Sequence, residues 1–231
     1  MVHSAYHGGA IDVAAAQWAA LPDYMQGATQ RILPMVDVSG SMYTPAGGGH
    51  SKSEVTCLDV AISLGLYIAQ RNEGVFKNTL LTFSESPQMH VVPDDFGAAL
   101  DSMSRADWGM STNLEVAFTV LLQRAKLHNV SEDQMPTQIL ILSDMQFNYA
   151  VKGDTAFRNI RQQYTEAGYK LPEIVFWNLN SAAGNAPVTV GTNGVALVSG
   201  FSPSILKSVI KGDLEPSKVM LDTIMVDRYK F

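Results

Sequence analysis

Cysteine is nearly missing from this chain: Cys57 is the only one in 231 residues, so no intrachain disulfide can form. Its place in an apolar helical stretch reads as a buried structural thiol. No apolar run approaches the roughly 20 residues that cross a bilayer, and Met1-Val2-His3-Ser4 has no basic region leading into an apolar core. Neither anchor nor secretory leader is indicated, cytoplasmic residence is expected, and the sequon at Asn129-Val130-Ser131 carries no meaning without secretion. Basic charge is also short. Lysine and arginine number 16 against 22 acidic residues, a formal charge of −6, which argues against a broad phosphate-binding surface. Lys152, Arg158, Arg161 and Lys170 are interspersed with Asp154 and Glu166 and read as a solvated helix face.

Several catalytic signatures are absent as well. There is no Gly-x-Ser-x-Gly elbow for a serine hydrolase. His3, His7, His50, His90 and His128 show no ligand-like spacing for zinc. The glycine tract Thr44 to Ser53 lacks the Gly-Lys-Ser/Thr ending of a phosphate loop, so a loop beside the site is the better reading. A haloacid dehalogenase-type phosphotransferase would need a second Asp where Ser39 stands. No enzyme is expected.

What the sequence does have is Asp37-Val-Ser39-Gly-Ser41 directly after the apolar run Ile32-Leu33-Pro34-Met35-Val36. One carboxylate and two hydroxyls at a strand's carboxyl end supply part of the oxygen shell that a hard divalent cation wants. Gly40 lets the backbone bend without a Cβ clash. A second apolar run, Ile139-Leu140-Ile141-Leu142-Ser143, ends in Asp144 and reads as a strand buried on both faces. Between them Thr112 offers a hydroxyl at a loop-to-helix junction. Ligand chemistry points to Mg²⁺. Asn113 is a candidate to orient a ligand or water from behind, as are Asp107 and Gln146, whereas Asp59 reads as a cap. Taken singly, Ser39, Ser41, Thr112 and both aspartates could equally be turn or cap residues.

The elements alternate as a doubly wound α/β sheet requires. Helices are expected at Ala10 to Met25, Glu54 to Gln70, Asp94 to Met103, Thr112 to Leu127 and Thr155 to Ala167, and after Pro203 and Pro216. Strands are expected at Arg31 to Val36, Asn78 to Phe83, Gln88 to Val92, Ile139 to Ser143, Glu173 to Asn178 and Val195 to Val198. The sheet is thus mostly parallel, with one short antiparallel edge strand and helices on both faces. At 46% apolar content, 231 residues suffice for one such core. Pro34 predicts a local irregularity, since proline removes a ladder hydrogen bond.

Asp37, Ser39, Ser41, Thr112 and Asp144 match, in order, the pattern of the metal-ion-dependent adhesion site, and the sequence resembles the von Willebrand factor A fold that carries it. Trp108-Gly109-Met110-Ser111-Thr112-Asn113, Leu142-Ser143-Asp144-Met145-Gln146-Phe147 and Ile174-Val175-Phe176-Trp177-Asn178-Leu179 narrow the likeness, as does the stretch from Gly194 to Pro203. They resemble an uncharacterised A-domain family of plants, fungi and large phages, itself similar to Ro-type (TROVE) ribonucleoproteins. The resemblance implies residues 1–27 as an amino-terminal extension and helix and 28–231 as the A-like domain. Members commonly carry a larger amino-terminal helical region, so an excised or minimal A domain is expected. It further implies Mg²⁺ or Mn²⁺ as the cation, with Ca²⁺ as a further alternative, and a protein partner whose exposed Asp or Glu completes the metal shell. RNA association in a Ro-like particle is the alternative, disfavoured by the acidic balance, and a metal-dependent hydrolase is weaker still, for want of a general base. The loops at Tyr43 to Ser53, Ser84 to His90 and Ser181 to Thr192 would set specificity.

Overall fold

The computed structural model describes residues 11–47, 54–84, 86–105, 113–145, 153–180, 194–200 and 203–212, together with 214, 217, 221 and 224–225. In chain order the elements are α1 (Ile11–Ala19), β1 (Ile32–Asp37), a 3₁₀ turn (Gly40–Tyr43), α2 (Cys57–Arg71), β2 (Thr79–Phe83) and β3 (Met89–Val91). Then come α3 (Phe96–Ser104), α4 (Leu114–Leu127), β4 (Gln138–Ser143), α5 (Gly153–Glu166), β5 (Glu173–Asn178), β6 (Val195–Ser199) and α6 (Pro203–Lys211). The helix expected after Pro216 falls largely outside the described residues.

Six strands form one sheet in the order β3-β2-β1-β4-β5-β6. Only β3 runs antiparallel, pairing with β2 through Leu80 and His90, as the edge strand expected there. β1 and β4 are buried at every residue, because helices cover both faces of a parallel sheet. On one face α1, α2, α3 and α6 pack on Ile32, Val36, Leu140 and Leu142. On the other, α4 and α5 pack on Leu33, Met35, Ile139 and Ile141 through Phe118, Leu121, Ile160 and Tyr164. The alternation of side chains along each strand assigns these two sets to opposite faces.

Local chemistry sets where the helices start and stop. α2 opens on a reciprocal capping box: Thr56 Oγ1 accepts the Asp59 N–H at 3.1 Å, and Asp59 Oδ2 accepts the Thr56 N–H at 2.9 Å. Thr56→Ala is expected to cost about 1 kcal/mol in urea denaturation, the usual worth of such a cap. α1 stops at Ala19, short of the Met25 read from apolar spacing. Pro22 disfavours helix in the residue before it, Asp23 Oδ1 turns the chain by accepting the Met25 N–H at 2.8 Å, and the Tyr67 hydroxyl donates to the Pro22 carbonyl at 2.6 Å. α1 still joins the main core. Trp18 stacks on Phe96 with centroids 4.8 Å apart, and the Arg71 guanidinium lies 4.1 Å from the centre of the Tyr67 ring.

Pro34 leaves β1 unbroken. It lies opposite Leu140 in the ladder to β4, while the ladder to β2 begins only at Met35, opposite Leu81. The missing donor is thus absorbed before β2 has joined, so the irregularity is a delayed pairing and not a bulge. No helix among the described residues is long and apolar enough to cross a membrane.

Candidate metal centre

β1 and β4 are neighbours although they lie far apart in the sequence. From β1 the chain winds outward to β2 and β3, then returns to the other side of β1 and continues through β4, β5 and β6. The join between β1 and β4 is therefore the switch point, where loops leave in opposite directions and open a crevice at the strands' carboxyl ends. Asp37 is the last residue of β1 and Asp144 the first after β4. They are 0% and 2% exposed.

The Asp37 carboxylate is tied down at both oxygens. Asp37 Oδ1 accepts the Ser39 N–H at 2.9 Å, and Asp37 Oδ2 accepts the Ser143 hydroxyl at 2.6 Å. Burial pushes the Asp37 carboxyl up to about 6. The hydrogen bonds from Ser143 and Ser39 oppose that rise, and the nearby Asp144 adds to it. The Ser39 and Ser41 hydroxyls are 3.2 Å apart, so two aspartates and two hydroxyls gather on two adjacent strand ends. The Asp144 N–H points to Met42 Sδ at 3.2 Å, and Met42 is fully buried. Met145, next in the chain, holds a left-handed φ of 65°, a conformation that costs a residue with a Cβ about 1–2 kcal/mol. Its N–H donates to Ser143 Oγ at 3.0 Å.

Of the residues singled out in the sequence, Asp37, Ser39, Ser41 and Asp144 come together. Thr112 lies outside the described residues, as do Asp107, Gln146 and the tract 48–53. Asn113 caps α4, its Oδ1 accepting the Val116 N–H at 3.2 Å. Gly40 is exposed, its φ is not left-handed, and a Cβ there would meet nothing within 4 Å. The turn therefore does not demand glycine, contrary to the expectation of a Cβ clash. Asp59 is a cap, as read. Cys57 is buried with its Sγ donating to the Leu179 carbonyl at 3.4 Å, and burial pushes its thiol up, which suits an inert structural residue.

Ser143 and Met42 were missed. A hydroxyl ending an apolar strand was the available signal for Ser143. Nothing in the sequence marks Met42, because its role depends on a backbone N–H from a distant segment.

Among the described residues no three His, Cys, Asp or Glu side chains gather into a metal cage. The donors here are of another kind, two carboxylates and neutral hydroxyls. That set suits a hard, oxygen-seeking divalent cation and not zinc, and a positive charge between them would relieve two buried acids of their mutual repulsion.

A doubly wound α/β sheet of this strand order, with an Asp-x-Ser-x-Ser turn at its switch point, defines a von Willebrand factor A-like domain. Within that class the chain belongs to the family described as a domain of unknown function (DUF7788), which matches residues 32–226. It is 29% identical over 215 residues to "Uncharacterized protein L728" of Acanthamoeba polyphaga mimivirus, a match covering 90% of this chain and 36% of that protein. Among solved structures it is similar to the Ro (RSR) protein of Deinococcus radiodurans, with a TM-score of 0.55 and 18% identity over 85% of this chain and 36% of that one. The SpRpn10 VWA domain is matched over 80% of this chain and 94% of its own length, with a TM-score of 0.41 and 16% identity. The chain thus spans about a third of the length of both the viral relative and the Ro protein.

Proposed function

We propose that this domain is a divalent-metal-dependent interaction module that recognises an acidic group on a protein partner and catalyses no reaction. The observation that carries this reading is the pairing of two buried carboxylates, Asp37 and Asp144, with the Ser39 and Ser41 hydroxyls at the switch point of the sheet. Asp37, Ser39 and Ser41 would hold the cation, with Thr112 and Asp144 completing the protein's share. Mg²⁺ bound there would supply a Lewis-acidic point for an incoming carboxylate oxygen, since hard cations of this kind keep positions that exchange water for ligand. Asp37 keeps its oxygens oriented through Ser39 and Ser143, and the sheet keeps both acids away from bulk water.

The formal charge of −6 favours a discrete acidic partner group over a phosphate backbone. Cytoplasmic residence belongs to the same proposal.

The test is capture of partners on the immobilised domain in Mg²⁺, against an EDTA wash and against Asp37→Ala with its fold verified by circular dichroism. A partner lost in both controls supports metal-dependent recognition. One retained in both puts the binding surface elsewhere and sinks the proposal.

A further inference from the structure

We propose that Met42 and Ser143 are positioning residues that set the two acids of the metal centre before any cation arrives; this rests on the metal-dependent reading above. Neither side chain supplies a ligand. Each ties one aspartate to the strand end that carries the other.

The Ser143 hydroxyl has one proton to give, and its direction is decided. Ser143 Oγ accepts the Met145 N–H at 3.0 Å, which leaves its own hydrogen for Asp37 Oδ2 at 2.6 Å. With Oδ1 already held by the Ser39 N–H at 2.9 Å, the Asp37 carboxylate is fixed against rotation, with lone-pair capacity left for a metal or a metal-bound water. Ser143 is fully buried, so no bulk water can substitute for it.

Met42 acts on Asp144 through the backbone, fixing where the residue leaves β4. It follows Ser41 in the 3₁₀ turn, is fully buried, and receives the Asp144 backbone N–H on its thioether sulfur at 3.2 Å. Sulfur is a weak acceptor, but the long flexible methionine stem carries it to the Asp144 N–H across the strand ends. The two turns are thus cross-tied twice: β4's exit gives an N–H to the β1 turn's sulfur and a hydroxyl to β1's carboxylate. Met145, left-handed at φ 65°, adopts the conformation in which its N–H reaches Ser143 while Asp144 faces Met42. Partners of this kind behind a ligand change metal affinity by roughly 10–100-fold when removed.

The experiment is calorimetric titration of the full chain with Mn²⁺ and with Mg²⁺, on wild type, Ser143→Ala, Ser143→Thr and Met42→Leu. Amide spectra of each metal-free protein are recorded alongside. Ser143→Ala is expected to weaken Mn²⁺ about 10–100-fold and Met42→Leu about tenfold, while Ser143→Thr, which keeps the hydroxyl, binds as wild type. In the metal-free spectra Met42→Leu should move the Asp144 amide and Ser143→Ala the Met145 amide, with the remaining dispersion unchanged. Leucine nearly conserves the methionine volume, so Met42→Leu tests the proposal even where Ser143→Ala disturbs the fold. Wild-type affinity in both Ser143→Ala and Met42→Leu would overturn the positioning role and leave the metal reading standing, and so would an equal loss in Ser143→Thr and Ser143→Ala. A wild-type protein that binds neither cation at millimolar concentration would remove both.

Discussion

Without metal, the stability of the protein relative to its Asp37→Asn variant should fall by about 3 kcal/mol between acid pH and pH 8. The Asp37 carboxyl rises from an ordinary 3.8 to about 6 in the folded state, and each tenfold change in proton affinity is worth about 1.36 kcal/mol. A folded value above the unfolded one means that the stabilising difference is fully present below pH 3.8 and is lost as the pH rises through about 6. Asp37 is wholly buried, so solvent screening does not discount the effect. Asparagine is neutral at every pH, and since its single side-chain oxygen can answer only one of the two donors, Ser39 N–H and Ser143 O–H, it adds a pH-independent offset and leaves the slope of the difference as the readout. Comparing the two proteins cancels the carboxylates distant from this pair. Mg²⁺ should close most of the gap: at about a hundred times its dissociation constant it adds about 2.7 kcal/mol to the wild type and nothing to the variant. Urea denaturation at pH 4, 6 and 8, with and without Mg²⁺, measures this. Parallel pH profiles would refute the buried charge, and an equal Mg²⁺ response would refute the site.

Gly65→Ala should destabilise the domain by about 1–3 kcal/mol, toward the upper end of what one inserted methyl costs in a packed core. A Cβ at Gly65 would sit 2.5 Å from Val36 Cγ2, closer than two carbons can stand. Val36 has little room to retreat, being fully buried in a central strand between β2 and β4. α2 must therefore lift from the sheet. Val36→Ala opens the space, so the double variant should be more stable than the sum of the two single losses by about 0.5–3 kcal/mol, the range of couplings between touching residues. Strict additivity in urea would show that the helix accommodates the methyl elsewhere. Because Asp37 follows Val36 directly, Gly65→Ala should also weaken Mg²⁺ binding, and Val36→Ala added to it should partly restore the binding.

The sheet was legible because its central strands advertise themselves. A run such as Ile139 to Leu142 has no polar face to offer, which only a strand covered on both sides tolerates. The acids at the ends of β1 and β4 were legible for the same reason, since a charge placed just past such a run must emerge at the carboxyl edge. Contacts between distant segments were not. The hydroxyl of Ser143 and the sulfur of Met42 acquire their roles only when β4 is laid beside β1, and no spacing within either segment encodes that. The apolar spacing past Ala19 continued through Leu21 and Met25 and concealed the stop, which Pro22 imposes. Asn113 also holds the start of α4, where free N–H groups need acceptors and its Oδ1 answers the Val116 N–H.

The proline in β1 has a meaning beyond the finished sheet. Ile32-Leu33-Pro34-Met35-Val36 is uncharged and apolar, the kind of segment that templates aggregates when a nascent or unfolded chain exposes it. A strand docking on the edge that the Pro34 nitrogen faces meets a position with no donor. The folded domain tolerates that gap because β2 pairs with β1 only from Met35 onward. The strand that ends in Asp37 thus carries its own guard against association through the period before β2 and β4 close around it.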